Sequence, residues 1–308
     1  MFDAAAAVTN MSKSTCDTLQ FIPSPTEVKE LHSTCIANCV FNSFLSHTAI
    51  MFGIVTIHAI RKTSLPKPLK TLLLSLAASD LGVGFLVQPF YVSLLVKWSL
   101  TADPGCAVYK VFITMMSFFS LSSFFGIAAI SVDRFLAIHL HLRYQELVTH
   151  KRVVAVVISI CLLSAFLSIM PFWSPVEVNS VIFTIVAASC FVSITIVYIR
   201  IYLVVQRHKN EIETLQMQEV QRFASLRKSA MVVFYVYLVY LLCYLPQFIL
   251  FALNANHKPS TTEKRFSIYS WTLIFLNSSL NPLIYCWKMR DIRHAIIDML
   301  RSFIIRRQ

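Results

Sequence analysis

The sequence predicts an all-α membrane protein, a seven-transmembrane helix bundle followed by an amphipathic C-terminal surface helix. Three observations carry this prediction. Of 308 residues, 56% are hydrophobic and only 14% charged, against about a quarter charged in an ordinary soluble domain. The charges gather between long apolar runs rather than spreading evenly. About 20 consecutive apolar residues suffice to cross a bilayer, and seven runs of that kind occur.

The runs cover roughly 34–60, 69–96, 107–137, 152–172, 179–205, 228–253 and 266–287. Polar or Pro-bearing stretches separate them, as at Arg61–Lys70 and Asn254–Arg265. The segment over roughly 288–305 differs. Its Met289, Ile292, Ile296, Ile297, Leu300 and Ile304 recur at helical spacing, with Lys288, Arg290, Arg293 and Arg301 between them. Such a helix lies on the membrane surface rather than crossing it. The organisation is thus 1–33 as N-terminus, 34–287 as membrane domain, and 288–308 as surface helix and short tail.

Orientation follows from the basic residues. The loops joining the first and second, third and fourth, and fifth and sixth helices, with the tail and adjoining helix ends, hold 20 of the 27 Lys and Arg residues. Positive charge marks the cytoplasmic side, so the N-terminus is expected outside, at the plasma membrane. Asn10 in Asn10-Met11-Ser12 then falls outside as a glycosylation acceptor. Residues 1–30 show no long apolar core before a cleavage site, so the first helix is expected to act as its own insertion signal. The net charge of +12 belongs to loops beside apolar segments, where it meets anionic lipid rather than nucleic acid.

Charged groups inside a membrane are costly and mark function. Asp80 lies in the middle of the second helix and Asp133-Arg134 ends the third. No Glu or second Asp lies at comparable depth, so a proton relay or metalloprotease centre lacks ligands, and an enzyme is not expected. A channel or transporter would need polar residues along a path, which the runs do not supply.

The motifs resemble those of the rhodopsin-like G-protein-coupled receptors over about residues 50–300. Asp133-Arg134-Phe135 is similar to that family's Asp-Arg-Tyr motif. Asn281-Pro282-Leu283-Ile284-Tyr285 matches its Asn-Pro-x-x-Tyr motif, and Cys243-Tyr244-Leu245-Pro246 resembles the Cys-Trp-x-Pro stretch of the sixth helix. The resemblance implies a receptor that transmits an extracellular signal to a heterotrimeric G protein. It implies an ion pair of Arg134 with Asp133 in the resting state; the other reading of Arg134 is an interfacial side chain reaching for headgroups. It also implies a sodium site at Asp80, Ser120, Asn277 and Asn281, against the alternative of a neutral, hydrogen-bonded Asp80. Pro246 and Pro282 each remove a helical hydrogen bond and bend their helices. Tyr198 and Tyr285 are implied to bridge through water in the active state, or else to be interfacial aromatics.

Departures from the family pattern are specific. Phe52 stands near the usual Asn of the first helix, Cys161 replaces a Trp, and Tyr244 replaces the Trp of the sixth. Leu226 stands where a Glu would cross-link Arg134, so elevated basal activity is expected. The short second outer loop, about 172–180, holds no Cys. The usual bridge to Cys106 therefore cannot form, and pairings among Cys16, Cys35, Cys39 and Cys106 stay open. The short second loop and the absent Pro of the fifth helix resemble the branch holding melanocortin, cannabinoid, lysophospholipid and adenosine receptors.

The resemblance places a ligand cavity between the outer halves of the third, fifth, sixth and seventh helices. Ile113, Met116, Ser117, Phe248, Phe251, Trp271 and Phe275 would line it, unless they pack against one another or face lipid. Met116 falls where amine receptors carry an Asp, and Phe275 where opsins carry a Lys. A biogenic amine and retinal are thus not expected; a neutral, lipid-like or peptide ligand is. Ser302 is the sole hydroxyl residue of the tail, so arrestin recruitment through tail phosphorylation is weakly supported unless Thr214, Ser225 or Ser229 substitutes. Cys286 is the one palmitoylation candidate near the surface helix. A second function class, a signalling-incompetent decoy or partner protein on the same fold, is motivated by Phe52, Cys161 and Tyr244 and opposed by the intact motifs.

Overall fold

The computed structural model describes residues 23, 25–100, 105–140, 143–173, 176–211, 217–253 and 259–305. Eight principal helices account for nearly all of them. They are α1 (Pro25–Lys62), α2 (Lys67–Ser99), α3 (Cys106–His139), α4 (His150–Ile169), α5 (Val176–Glu211), α6 (Met217–Leu253), α7 (Thr261–Lys288) and α8 (Arg290–Ile305). A single turn at Tyr144–Leu147 sits between α3 and α4, and a 3₁₀ turn at Met170–Phe172 ends α4. Asn10 and Cys16 lie outside the described residues, as do Thr214 and the tip of the loop between α5 and α6.

Seven helices form the bundle, with α3 central: it packs on α2, α4, α5 and α6. Buried side chains from all seven meet in one continuous core that includes Leu76, Ile127, Tyr240 and Phe275. The outward faces stay apolar, with Phe44, Leu162, Phe166 and Leu242 largely exposed, as suits a surface solvated by lipid tails. Among the described residues six helices are long and apolar enough to span a membrane by composition alone. The exception is α7, because Ser267, Ser270, Thr272, Asn277, Ser278, Ser279 and Asn281 all point into the bundle.

Two helices differ from the sequence expectation. The first begins at Pro25, ahead of the apolar run that starts near 34. Its polar outer turns are held by α7: Lys264 Nζ donates to both Glu27 oxygens at 3.1 and 2.8 Å, and Arg265 donates to the Glu30 carbonyl. A capping box of Ser260 with Glu263 starts α7 at that level. In α2, Val83–Val87 form a π-helical segment just before Pro89. Proline cannot donate to the ladder, and a π-bulge re-aims the residues that follow it. Gln88, Tyr91, Leu94, Leu95 and Trp98 are thereby buried.

Close approach of α1 and α2 is set by Gly84. A Cβ there would lie 2.8 Å from Ala49 Cβ and 3.4 Å from the Ile50 backbone nitrogen. The gap lets the Ser46 hydroxyl donate to the Gly84 carbonyl at 2.8 Å. Finally, α8 packs on α1 and α7 through the fully buried Ile292, with Arg293 and Ile297 exposed. It is amphipathic, as its spacing predicted.

Candidate functional site

The polar residues inside the bundle fall into a cytoplasmic cluster, a mid-membrane cluster and an outer cleft. At the cytoplasmic end of α3, Asp133 and Arg134 are both buried. Arg134 Nε donates to Asp133 Oδ2 at 2.9 Å, and Nη2 donates to the same oxygen. The other carboxylate oxygen, Oδ1, accepts from the Tyr144 hydroxyl at 2.7 Å. Burial and the neighbouring carboxylate hold the Tyr144 phenol above its usual pKa, so it remains a donor. Sequence reasoning missed Tyr144; only the return of the chain after α3 brings it to Asp133.

Above this pair, aromatic side chains of α6 form a column. Tyr240 and Tyr244 stack at 3.9 Å, Tyr240 stacks on Phe124, and Tyr237 stacks on Tyr198. Their hydroxyls tie helices together. Tyr240 donates to the Ser120 carbonyl, Tyr237 meets Thr195 at 2.8 Å, and Tyr198 meets Ser131 at 3.1 Å. Tyr198 and Tyr285 share no hydrogen bond here: Tyr198 is turned to Ser131, and the buried Tyr285 hydroxyl has no partner. Pro246 and Pro282 both lie inside helices, as expected.

At mid-membrane Asp80 is buried, and Asn281 Nδ2 donates to its Oδ2 at 2.9 Å. The hydroxyls of Ser123 and Ser278 face it, and Ser123 also meets Ser79. Asp80 Oδ1 and Asn281 Oδ1 are left without partners. A buried carboxylate among neutral groups is costly unless it is protonated or accompanied by a cation. Two unbonded hard oxygens beside it fit a small hard cation. Of the other two residues in the expected set, Ser120 lies one turn outward and donates to Met116 Sδ, and the buried Asn277 amide has both its polar atoms unbonded. Phe52 is exposed, so α1 supplies no partner from that position.

A polar seam that sequence reasoning overlooked joins α1 to α7. Thr34, Asn38, Asn42 and Ser46 recur every fourth residue and are all buried. Asn42 Nδ2 donates to Thr272 Oγ1 at 2.9 Å, and Thr272 donates to Asn38 Oδ1 at 2.7 Å. The four-residue spacing, inside an apolar run, was the available signal.

Several of the residues expected to line the outer cavity pack in the core. Met116 and Phe275 are sealed in the core, with Phe275 against Tyr91, and Phe248 packs edge-on to Phe191. Ile113, Ser117 and Phe251 are partly buried. Among the described residues a narrow cleft opens between α2, α3 and α7, and of the seven expected lining residues it is bordered by Trp271. Tyr91 and Trp98, which follow the π-turn of α2, form its α2 wall. Of the candidate disulfide cysteines, two are described. Cys35 and Cys39 are free, Cys35 being buried in the core and Cys39 directed at the Val92 carbonyl. The Cys106 side chain lies outside what is described.

A family model described as 7 transmembrane receptor (rhodopsin family) matches residues 53–179 and 172–285. The chain belongs to this family. Curated relatives agree with the branch expected from the motifs. The adenosine receptor A2a of Equus caballus is 28% identical over 273 residues, 76% of this chain and 64% of that receptor. The Homo sapiens A2a receptor is 26% identical over the same shares, and the Mus musculus A2b receptor is 23% identical over 79% of this chain and 83% of its own. The chain thus spans 64% of the length of the A2a receptors it matches. This rhodopsin-family chain is a multi-pass membrane protein.

Proposed function

We propose that the chain is a plasma-membrane receptor, N-terminus outside, that passes an extracellular signal to a heterotrimeric G protein. The observation that carries this reading is the buried Asp133–Arg134 pair at the cytoplasmic end of α3. Arginine keeps its charge at any physiological pH and presents a planar fork of donors. Burying it beside a single carboxylate makes sense when a rearrangement later releases it. An extracellular ligand would act by binding the released state more tightly and shifting the population. The test is nucleotide exchange on purified G proteins by the receptor in lipid nanodiscs, wild type against Arg134→Ala. Exchange should fall at least tenfold in the variant; equal exchange would favour the decoy reading.

The ligand is read as neutral, lipid-like or a peptide. The relatives' name makes adenosine, an uncharged molecule, an obvious member of a ligand panel, but identities of 23–28% do not carry a ligand over. The Asp80 cluster is read as a sodium site, formed by Asp80 and Asn281 with Ser123 near rather than Ser120. Sodium there would neutralise the carboxylate and hold α2 and α7 in one arrangement.

A further inference from the structure

The cleft between α2, α3 and α7 contains polar groups that the switch residues do not explain. Ser267 and Trp98 are 2% and 5% exposed, both border the cleft, and neither Ser267 Oγ nor Trp98 Nε1 has a hydrogen-bond partner. An indole N–H can only donate, and a serine hydroxyl donates readily. Buried donors left unmade are uncommon, so two of them on one cleft point to an acceptor that comes from outside. Charge narrows the choice. Lys264 borders the same cleft, but its ammonium is held on both oxygens of Glu27. An incoming anion would meet an ammonium already neutralised by Glu27, and an incoming cation would face Lys264. The acceptor that fits is uncharged.

Size and shape narrow it further. The cleft offers about 10 Å³ to the centre of a water-sized group, and about 270 Å³ of empty space when the solvent in its open mouth is counted. Its closed end therefore takes one atom such as a carbonyl oxygen, and a ring attached to that atom would lie in the open mouth. The walls suit a ring: Phe112 and Trp271 meet edge to face at 5.7 Å, and Tyr109 packs on Trp98 at 6.1 Å. Aromatic faces of this kind favour offset or edge contact with a further ring.

We propose that this cleft binds a neutral aromatic carbonyl group, its oxygen accepting from Trp98 Nε1 and Ser267 Oγ and its ring lying among Phe112, Trp271 and Tyr109. The proposal rests on the reading that the outer half of the bundle takes an extracellular ligand, and it names the chemistry of one end of that ligand. The test uses purified full-length receptor in nanodiscs and three small probes, benzamide, benzoate and benzylamine, compared by saturation-transfer difference NMR. Benzamide should give at least a fivefold stronger signal than either charged probe. The Ser267→Ala/Trp98→Phe double variant should lose that signal at least fivefold, with thermal unfolding confirming that it folds. Equal signals from the three probes, no benzamide signal, or an undiminished signal in the folded double variant would overturn the proposal. If the double variant fails to fold, the Ser267→Ala single variant decides, with a loss of at least twofold required. This readout needs no G protein. A receptor that binds benzamide yet exchanges no nucleotide sinks the signalling reading alone, and the reverse sinks this one alone.

Discussion

Arg134 is held from one side, by a carboxylate that is itself anchored by Tyr144. Among the described side chains no acid of α6 meets Arg134, and Leu226 stands in that region. The Tyr144 hydroxyl therefore carries much of the resting state's integrity. Removing it leaves Asp133 Oδ1 buried without its bond, a loss of about 1–3 kcal/mol. In Tyr144→Phe we expect basal nucleotide exchange to rise several-fold, and no rise would show that the tyrosine is merely structural. Asp80 offers a second test at this scale. If sodium sits on Asp80 Oδ1 and Asn281 Oδ1, replacing potassium by sodium should raise the wild-type melting temperature by a few degrees, since a ligand of the native state stabilises it by mass action. Asp80→Asn should abolish the difference; a difference that persists would leave Asp80 as a neutral, hydrogen-bonded core residue.

At the scale of elements, two contacts govern how helices can move. One is permanent. With backbone and Ala49 within 2.8–3.5 Å of the site of a Cβ, Gly84 leaves α1 no room to yield. We expect Gly84→Ala to destabilise by about 1–3 kcal/mol through overpacking, seen as a lower melting temperature in detergent. The other contact is breakable. Lys288 Nζ lies 4.5 Å from the Tyr235 ring of α6 and 3.7 Å from the Trp287 ring. It fastens the base of α6 to the end of α7. Cation–π contacts of this kind are worth about 0.5–2 kcal/mol. An outward movement of α6 would break the Tyr235 contact, so Lys288→Gln should increase basal exchange, and Lys288→Arg should restore it. Equal behaviour of the two variants would mean that the contact does not restrain α6. The tyrosine column shows why α6 has a legible motif but an altered mechanism. Tyr244 is smaller than the Trp it replaces, and stacking on Tyr240 fills the space.

For the whole molecule, the outer ends of α1 and α7 are clasped by Glu27 and Lys264, side chains 19% and 11% exposed. Partial exposure limits what such a pair contributes, but breaking it strands a partly buried charge. We expect Lys264→Met to cost about 1–2 kcal/mol and Glu27→Gln in the same chain to recover part of it, measured as a double-mutant cycle of thermal stability. Additive losses would show that the two groups do not interact. The clasp and the seam of Asn38, Asn42 and Thr272 below it bind α1 to α7 over several turns. The moving parts are therefore expected in α5 and α6, which meet α3 and one another through ring contacts among Phe124, Phe191, Tyr237 and Tyr240.

The sequence by itself determined the seven spans, the surface helix, the family and the motifs that hold Asp133, Arg134, Asn281 and Pro246. These follow from hydropathy, period and short motifs, which are local properties of the chain. Tertiary structure alone decided which groups meet. Glu27 finds Lys264 across 237 residues, Tyr144 turns back onto Asp133, and Ser123 rather than Ser120 faces Asp80. The outer turns of α1 read as loop because their charges are neutralised only by α7. The cleft between α2, α3 and α7 was not legible because its α2 wall is Tyr91 and Trp98, which turn into the bundle after a π-turn. A rotation of that kind leaves composition unchanged and alters only which side chains share a space.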